Sequence, residues 1–197
     1  LYGLMLNSGN DAAAAIAEHI GGSVEGFTQL MNKKADELGL YDTNFENPSG
    51  LDGQSHYTTA IDLARLTSYA LKNDVFRRIV GEKVHKTEYS AGCVYFTNHN
   101  KLLSGYDGCI GVKTGFTKKS GRCLVSAAQR GPTTLVCVTL RDGNDWADHK
   151  ALLDYGFESA KIKAVVSKGD VLKKIKSSDG KYVSAVSAED FSYSVWG

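Results

Sequence analysis

Lys113, Thr114 and Gly115 lie inside an otherwise apolar run, Cys109-Ile110-Gly111-Val112-Lys113-Thr114-Gly115-Phe116, and this 197-residue sequence holds no residues with clearer chemical potential. A lone ammonium in a buried strand is costly unless an anion meets it. Gly108 and Gly111 before the lysine and Gly115 after it remove side chains beside the backbone, and strand glycines mark places where another backbone or a ligand comes close. Lys113-Thr114-Gly115 then reads as one wall of a cleft. Its backbone edge suits an extended ligand, and the Thr114 hydroxyl and Lys113 ammonium suit that ligand's negative end. The competing reading is an ordinary edge strand whose lysine lays its stem along apolar surface and keeps its head in water. A second polar tripeptide, Ser8-Gly9-Asn10, stands directly ahead of an alanine-rich run. Taken alone, Ser8 and Asn10 read as helix caps.

The elements that must position these residues follow from periodicity. Asp11 to His19 reads as a helix closed by Gly21-Gly22. Residues 24–38 form an amphipathic helix that Ser23 caps and Gly39 ends, with Phe27, Leu30, Met31 and Leu38 at helical spacing. A loop rich in Asn, Asp and Gly runs from Tyr41 to Tyr57. Thr59 and Asp62 resemble a capping box at the head of a third helix reaching about Lys72, and Asp74 caps a short fourth one over 75–80. From residue 83 the period becomes alternating. Strands are predicted at 83–89, 93–97, 109–115, 122–129 and 133–140, and the last three, joined by short turns, must form an antiparallel meander. Residues 144–160 return to helical register and can cover one face of that sheet. Beyond Ile162, hairpin signals at Lys168-Gly169 and Ser178-Asp179-Gly180 suggest a separate β-rich domain. Helices followed by an antiparallel sheet make the fold class α+β, with a cleft between a helical lobe and a sheet lobe.

A formal net charge of +1 argues against a nucleic-acid partner, and no apolar stretch reaches the ~18 to 20 residues that a membrane span requires. Leu1-Tyr2-Gly3-Leu4-Met5-Leu6 opens in mid-pattern, so the sequence is expected to be an excerpt whose upstream residues belong to the same fold. Cys93, Cys109, Cys123 and Cys137 all fall in predicted strands without metal-ligand spacing, and read as buried free thiols, with disulfides between neighbouring strands as the alternative. His56 follows a polar loop that can border the cleft; His19, His85, His99 and His149 read as surface or strand residues. Arg122 and Arg141 read as solvated cations, with contact to a ligand carboxylate as the alternative.

At this point the sequence resembles the serine penicillin-recognising enzymes, specifically the low-molecular-weight D-alanyl-D-alanine carboxypeptidases. Two of that group's three signatures stand in the right order, Ser-x-Asn as Ser8-Gly9-Asn10 and Lys-Thr-Gly as Lys113 to Gly115. The runs Tyr2-Gly3-Leu4, Ser8 to Ala13, Met31 to Ala35, Asn47 to Asp52 and Tyr106 to Thr117 carry the likeness further, over about residues 1 to 160. The resemblance implies a β-lactamase/transpeptidase-like catalytic domain over 1–161, incomplete at its N-terminus, and the start of a small β-rich domain over 162–197. It implies acyl transfer on a peptidoglycan stem peptide ending in D-Ala-D-Ala, with β-lactams as inhibitors and with neither metal nor organic cofactor. It further implies a bacterial extracytoplasmic location, with membrane attachment only through segments outside this chain.

The implied roles are specific. Ser8 takes part in a proton relay. Asn10 hydrogen-bonds the tetrad lysine or the substrate amide. Lys113 keeps the cleft positive, assists the relay and, with Thr114, attracts the terminal carboxylate. The backbone from Gly115 to Thr117 pairs with the extended peptide, and an amide of this strand contributes to the oxyanion hole. One departure limits the likeness. The family nucleophile belongs to a Ser-x-x-Lys tetrad upstream of Ser-x-Asn, whereas the sole match here, Ser178-Asp179-Gly180-Lys181, is downstream and in a predicted turn. The expectation is a chain that is inactive alone. A serine β-lactamase and a non-catalytic peptidoglycan-binding module remain the alternatives, and Ser-Gly-Asn in place of Ser-Asp-Asn favours the carboxypeptidase.

Overall fold

The computed structural model describes residues 1–178 and 180–196. A short helix α1 (Tyr2–Met5) leads into α2 (Asn10–Gly21), whose Ala13 and Ala17, one turn apart, are buried. Gly22 closes it at φ 74, a left-handed conformation that costs glycine little. Neither Ser8 nor Asn10 caps α2. Gly9 holds the N-cap position without a side-chain bond, Asn10 is already helical, and Ser8 sits at φ 56.

Helix α3 (Val24–Glu37) begins as predicted, with Ser23 Oγ accepting from the Gly26 amide at 3.0 Å. In α4 (Ala60–Ala70) Thr59 accepts from the Asp62 amide, but the Asp62 carboxylate does not complete the reciprocal cap. Asp62 is 1% exposed and accepts instead from the Asp42 amide at 3.0 Å and the Thr43 hydroxyl at 2.8 Å, so it ties down the 41–57 loop. Helix α5 (Asp74–Gly81) is capped by Asn73 rather than Asp74. The hairpin β1 (Val84–Tyr89) and β2 (Gly92–Thr97) forms its own two-stranded sheet and is largely exposed; Cys93, expected to be buried, lies there in solvent.

After a short α6 (Leu102–Gly105), which periodicity does not reveal, comes the predicted meander: β3 (Cys109–Thr117), β4 (Gly121–Arg130) and β5 (Thr133–Leu140), antiparallel in that order. Lys113 pairs with Val125 and Gly115 with Cys123. One apolar cluster joins Val112 and Ala127 to Leu71 and Val80, with Met5 and Phe76 against it. Another packs Ala128 and Cys137 against Leu153 of α7 (Asp145–Ser159). The sheet is thus sandwiched between helices. Of the three glycines, Gly108 meets another backbone, since a Cβ there would lie 2.6 Å from the Gln129 carbonyl oxygen, whereas at Gly111 the near neighbour is the Val80 side chain, at 2.8 Å, and at Gly115 nothing is nearer than 3.9 Å. Burial pushes the Cys137 thiol up to about 11, as befits an inert core thiol.

His149, expected at the surface or in a strand, is fully buried on α7. Its two ring nitrogens meet Ser126 Oγ at 2.6 Å and Thr139 Oγ1 at 3.1 Å, so it pins the helix to the sheet. Burial lowers its pKa from 6.5, outweighing the opposite pull of Asp145, Asp142 and Asp148. The unfolded chain therefore takes up this proton first as pH falls below about 6.5, and the folded state loses stability until His149 itself protonates. Thermal melts are expected to decline across that window. In His149→Gln the melting temperature should be lower at neutral pH but fall less steeply with acid; an unchanged slope would remove His149 from the acid response.

Four further strands follow: β6 (Ala160–Val166), β7 (Val171–Lys176), β8 (Tyr182–Val186) and β9 (Phe191–Trp196). They pair β7 with β8 and β6 with β9. The turn at Lys168-Gly169 is therefore not a hairpin, because β6 pairs with the distant β9 and the Gly169 amide donates to the Ser187 carbonyl. In the Ser178–Lys181 match, Asp179 lies outside the described residues. Ser178 and Lys181 fall between β7 and β8, where the Ser177 amide donates to the Lys181 carbonyl at 2.7 Å. That is turn geometry rather than one face of a helix.

Candidate active site

The two polar tripeptides meet. Lys113 Nζ donates to Ser8 Oγ and, at 2.7 Å, to the Thr114 carbonyl. The bond to Ser8 spans 105 positions in sequence, and each end of it has a local cause. β3 has one partner, β4, so its other edge is left for the helical lobe to face. On the helical side, the left-handed Ser8 leaves the helix cap to Gly9, and its hydroxyl is turned to the lysine instead of to the first amides of α2.

Burial lowers the Lys113 pKa to about 8. No carboxylate pairs with it among the described residues, so nothing offsets the desolvation. At pH 7 such a group is still cationic by roughly ten to one, yet its neutral form is far more abundant than that of a solvated lysine. It can therefore attract an anion and also exchange a proton.

Ser8, Thr114 and Gly115 line a cavity of about 540 Å³. Its remaining wall is His99, Phe116, Arg122, Cys123, Asp145 and Trp146, of which the sequence pointed only to Arg122, as an alternative reading, and to the backbone of Phe116. Sheet register brings Arg122 there by setting it opposite Phe116. Asp145, buried at the start of α7, holds the guanidinium through two bonds, Nη2 to Oδ1 at 2.5 Å and Nε to Oδ2 at 3.1 Å. Arg122 is thus a fixed, paired group beside Trp146 rather than a freely solvated cation. Local patterning carries no signal for this wall, since its members come from β3, β4, α7 and the stretch before α6.

The remaining predicted residues fall at the margins. Asn10 is exposed on the first turn of α2, and its side chain makes no hydrogen bond among the described residues. Thr117, at the end of β3, donates its hydroxyl to Asp52 Oδ1 at 2.8 Å, and the Ser120 hydroxyl reaches the same oxygen at 3.1 Å. His56 does border this region. It lines an adjoining cavity with Phe116 and Thr117, and burial holds its pKa below 6.5.

The Asp52 contacts, with Lys119 Nζ donating to the Gly53 carbonyl at 3.0 Å, clasp the 41–57 loop to the β3–β4 turn. Asp52→Ala is expected to cost about 0.5–1.5 kcal/mol and to speed amide hydrogen exchange in both segments. Unaltered exchange there would mean that the clasp does not order the loop.

No helix among the described residues is long and apolar enough to cross a membrane, and no group of His, Cys, Asp and Glu among them could hold a metal ion. Comparison with known proteins agrees with the geometry. The family model described as D-alanyl-D-alanine carboxypeptidase matches residues 1–144. The chain is 35% identical to D-alanyl-D-alanine carboxypeptidase DacF of Bacillus subtilis over 187 residues, covering 92% of this chain and 48% of that protein. It is 38% identical to a D-alanyl-D-alanine carboxypeptidase of Streptomyces sp. K15, covering 80% and 59%. It thus spans about half the length of the curated relatives it matches. Among solved structures, the Streptomyces K15 DD-transpeptidase superposes with a TM-score of 0.76 at 37% identity, over 80% of this chain and 66% of that one. The carboxypeptidase DacD of Francisella tularensis gives 0.76 at 25% identity, over 99% and 61%. With Ser8-Gly9-Asn10 facing Lys113-Thr114-Gly115 across one cleft, and the family model matching most of its length, this chain belongs to the D-alanyl-D-alanine carboxypeptidase family.

Proposed function

We propose that this chain supplies the substrate-binding and proton-relay wall of a serine-type D-Ala-D-Ala carboxypeptidase, and that 162–197 begins a separate domain. The observation that carries the reading is the hydrogen bond from Lys113 to Ser8 at the edge of a cavity lined by Thr114 and Gly115. A serine on a Ser-x-x-Lys helix attacks the carbonyl between the two D-alanines of a peptidoglycan stem peptide. The last D-alanine leaves and water releases the acyl group. Lys113 and Thr114 take the terminal carboxylate by charge-assisted hydrogen bonds. Ser8, in contact with Lys113, passes the proton toward the leaving amine, and Asn10 orients the tetrad lysine or the substrate amide. The edge of β3 from Gly115 to Thr117 pairs with the extended peptide by strand addition, with backbone groups as the contacts because the Thr117 hydroxyl is taken by Asp52.

Such a substrate places the enzyme outside the cytoplasmic membrane, in a bacterial cell envelope, and makes β-lactams its acylating inhibitors. The test is D-alanine release from a stem pentapeptide by a protein that joins this chain to its Ser-x-x-Lys helix. Release of D-alanine without appreciable penicillin turnover is expected. Penicillin hydrolysis without D-alanine release would instead make it a β-lactamase, and muropeptide binding without either reaction a binding module.

A further inference from the structure

We propose that His149 is a positioning residue for the candidate site: by tying the first turns of α7 to β4 and β5 it keeps Asp145 where that carboxylate fixes the Arg122 guanidinium, and so sets affinity for the anionic end of a peptide. The effect on peptide affinity rests on the carboxypeptidase reading above; the effect on Arg122 does not.

Sheet register places the parts. Arg122, Leu124, Ser126 and Ala128 alternate along one face of β4, and the same face of β5 presents Thr139, opposite Leu124, and Cys137, opposite Ser126. Helix α7 lies over this face, with Leu153 packed on Ala128 and Cys137. Asp145 and His149 stand one turn apart on the helix, while their partners Arg122 and Ser126 stand four residues apart on the strand. Four residues span ~13 Å along a strand but ~6 Å along a helix, so a long side chain at 122 is what closes the gap.

The two ends of α7 are held by different means. Past its middle the helix has apolar anchorage through Leu153 and Phe157, and Tyr106 Oη donates to Asp154 at 2.7 Å. Toward its start the ties are polar: Ser126 Oγ and Thr139 Oγ1 meet the two ring nitrogens of the fully buried His149, and Arg122 meets Asp145. Apolar contact is non-directional, whereas a hydrogen bond weakens steeply with angle, so His149 fixes the height and rotation of this end of the helix over the sheet. Every bond in this sequence of contacts joins residues of β4, β5 and α7.

Asp145 depends on that placement. It is 3% exposed and fully committed, with Oδ1 accepting from Arg122 Nη2 at 2.5 Å and from the Trp146 amide at 2.8 Å, and Oδ2 accepting from Arg122 Nε at 3.1 Å. Such a fork matches a carboxylate in one geometry. A small rotation of the first turn misaligns it, and the guanidinium, now 5.6 Å from the Trp146 ring, is released from the wall.

The test uses the protein that joins this chain to its Ser-x-x-Lys helix, with isotopically labelled arginine. The Arg122 Nε–H resonance, identified by its loss in Arg122→Lys, should be sharp and slow to exchange. His149→Leu should broaden or abolish it, and His149→Gln, whose amide can still meet both hydroxyls, should restore it. On a D-Ala-D-Ala peptide, His149→Leu should raise KM ~10-fold with a much smaller change in kcat. In an Arg122→Leu background the same substitution should change KM by less than about twofold, because the two residues act through one contact. If His149→Leu does not fold, Ser126→Ala and Thr139→Val, which each remove one bond, take its place in both comparisons. An Arg122 signal indifferent to these changes overturns the proposal, as do effects on KM that multiply in the double variant. A wild type that releases no D-alanine while its Arg122 signal follows His149 refutes the carboxypeptidase reading instead and leaves the positioning role standing.

Discussion

Replacing Lys113 with alanine, in a protein carrying the whole active site, is expected to lower kcat/KM on D-Ala-D-Ala peptides by ~10²–10⁴-fold while leaving thermal stability nearly unchanged. A large loss is expected because the proposed mechanism gives one ammonium two purposes: to set the potential of the cleft for the substrate carboxylate, and to hold the hydroxyl through which the proton travels. The fold has little to lose. Lys113 spends its hydrogen bonds on an exposed serine and on the carbonyl of its own neighbour, and it stands outside the apolar clusters on either side of the sheet. Lys113→Arg separates the two purposes. A guanidinium keeps the charge but does not give up its proton, so binding should be partly restored and turnover should not. Steady-state rates unchanged in Lys113→Ala would remove this residue from the mechanism. A collapse of the melting temperature would make its role structural.

The second large effect concerns acylation. Exposed to benzylpenicillin, the 197-residue chain is expected to keep its mass, whereas the same chain joined to its Ser-x-x-Lys helix gains one ligand mass. The motif needs a helix because one turn must put serine and lysine on a common face. Ser178 and Lys181 flank a turn between β7 and β8 and cannot be so arranged. A penicilloyl group found at Ser8 would show that the Ser8–Lys113 pair alone suffices for a strained amide, and the nucleophile assigned to the tetrad would then be in error.

The meander of β3, β4 and β5 was legible because its strands are short, mainly apolar runs separated by short turns. Helix α3 was legible because Ser23 and the spacing of its apolar residues agree. Misreadings came where a polar side chain had two possible employers. Asp62 matches a capping box by spacing, yet it is buried and serves the loop that packs over it. Ser8 has the type and position of a cap and faces a lysine 105 residues away. His149, one histidine among five, gave no sign that two hydroxyls on neighbouring strands would take both its nitrogens. Lys168-Gly169 has the composition of a hairpin, but composition specifies a turn and not the partner of the strand that follows it.

Two tripeptides with the right chemistry, their order, and the helices and strands that bear them are properties of local sequence, since they depend on side-chain type and on spacings of a few residues. Their meeting is not local. The hydrogen bond between Ser8 and Lys113, the fixing of Arg122 by Asp145 and the clasp of Asp52 on Thr117 each join residues from different elements. Those partners are chosen by sheet register, by a left-handed serine and by the packing of α7, which arise only when the whole chain buries its apolar faces together.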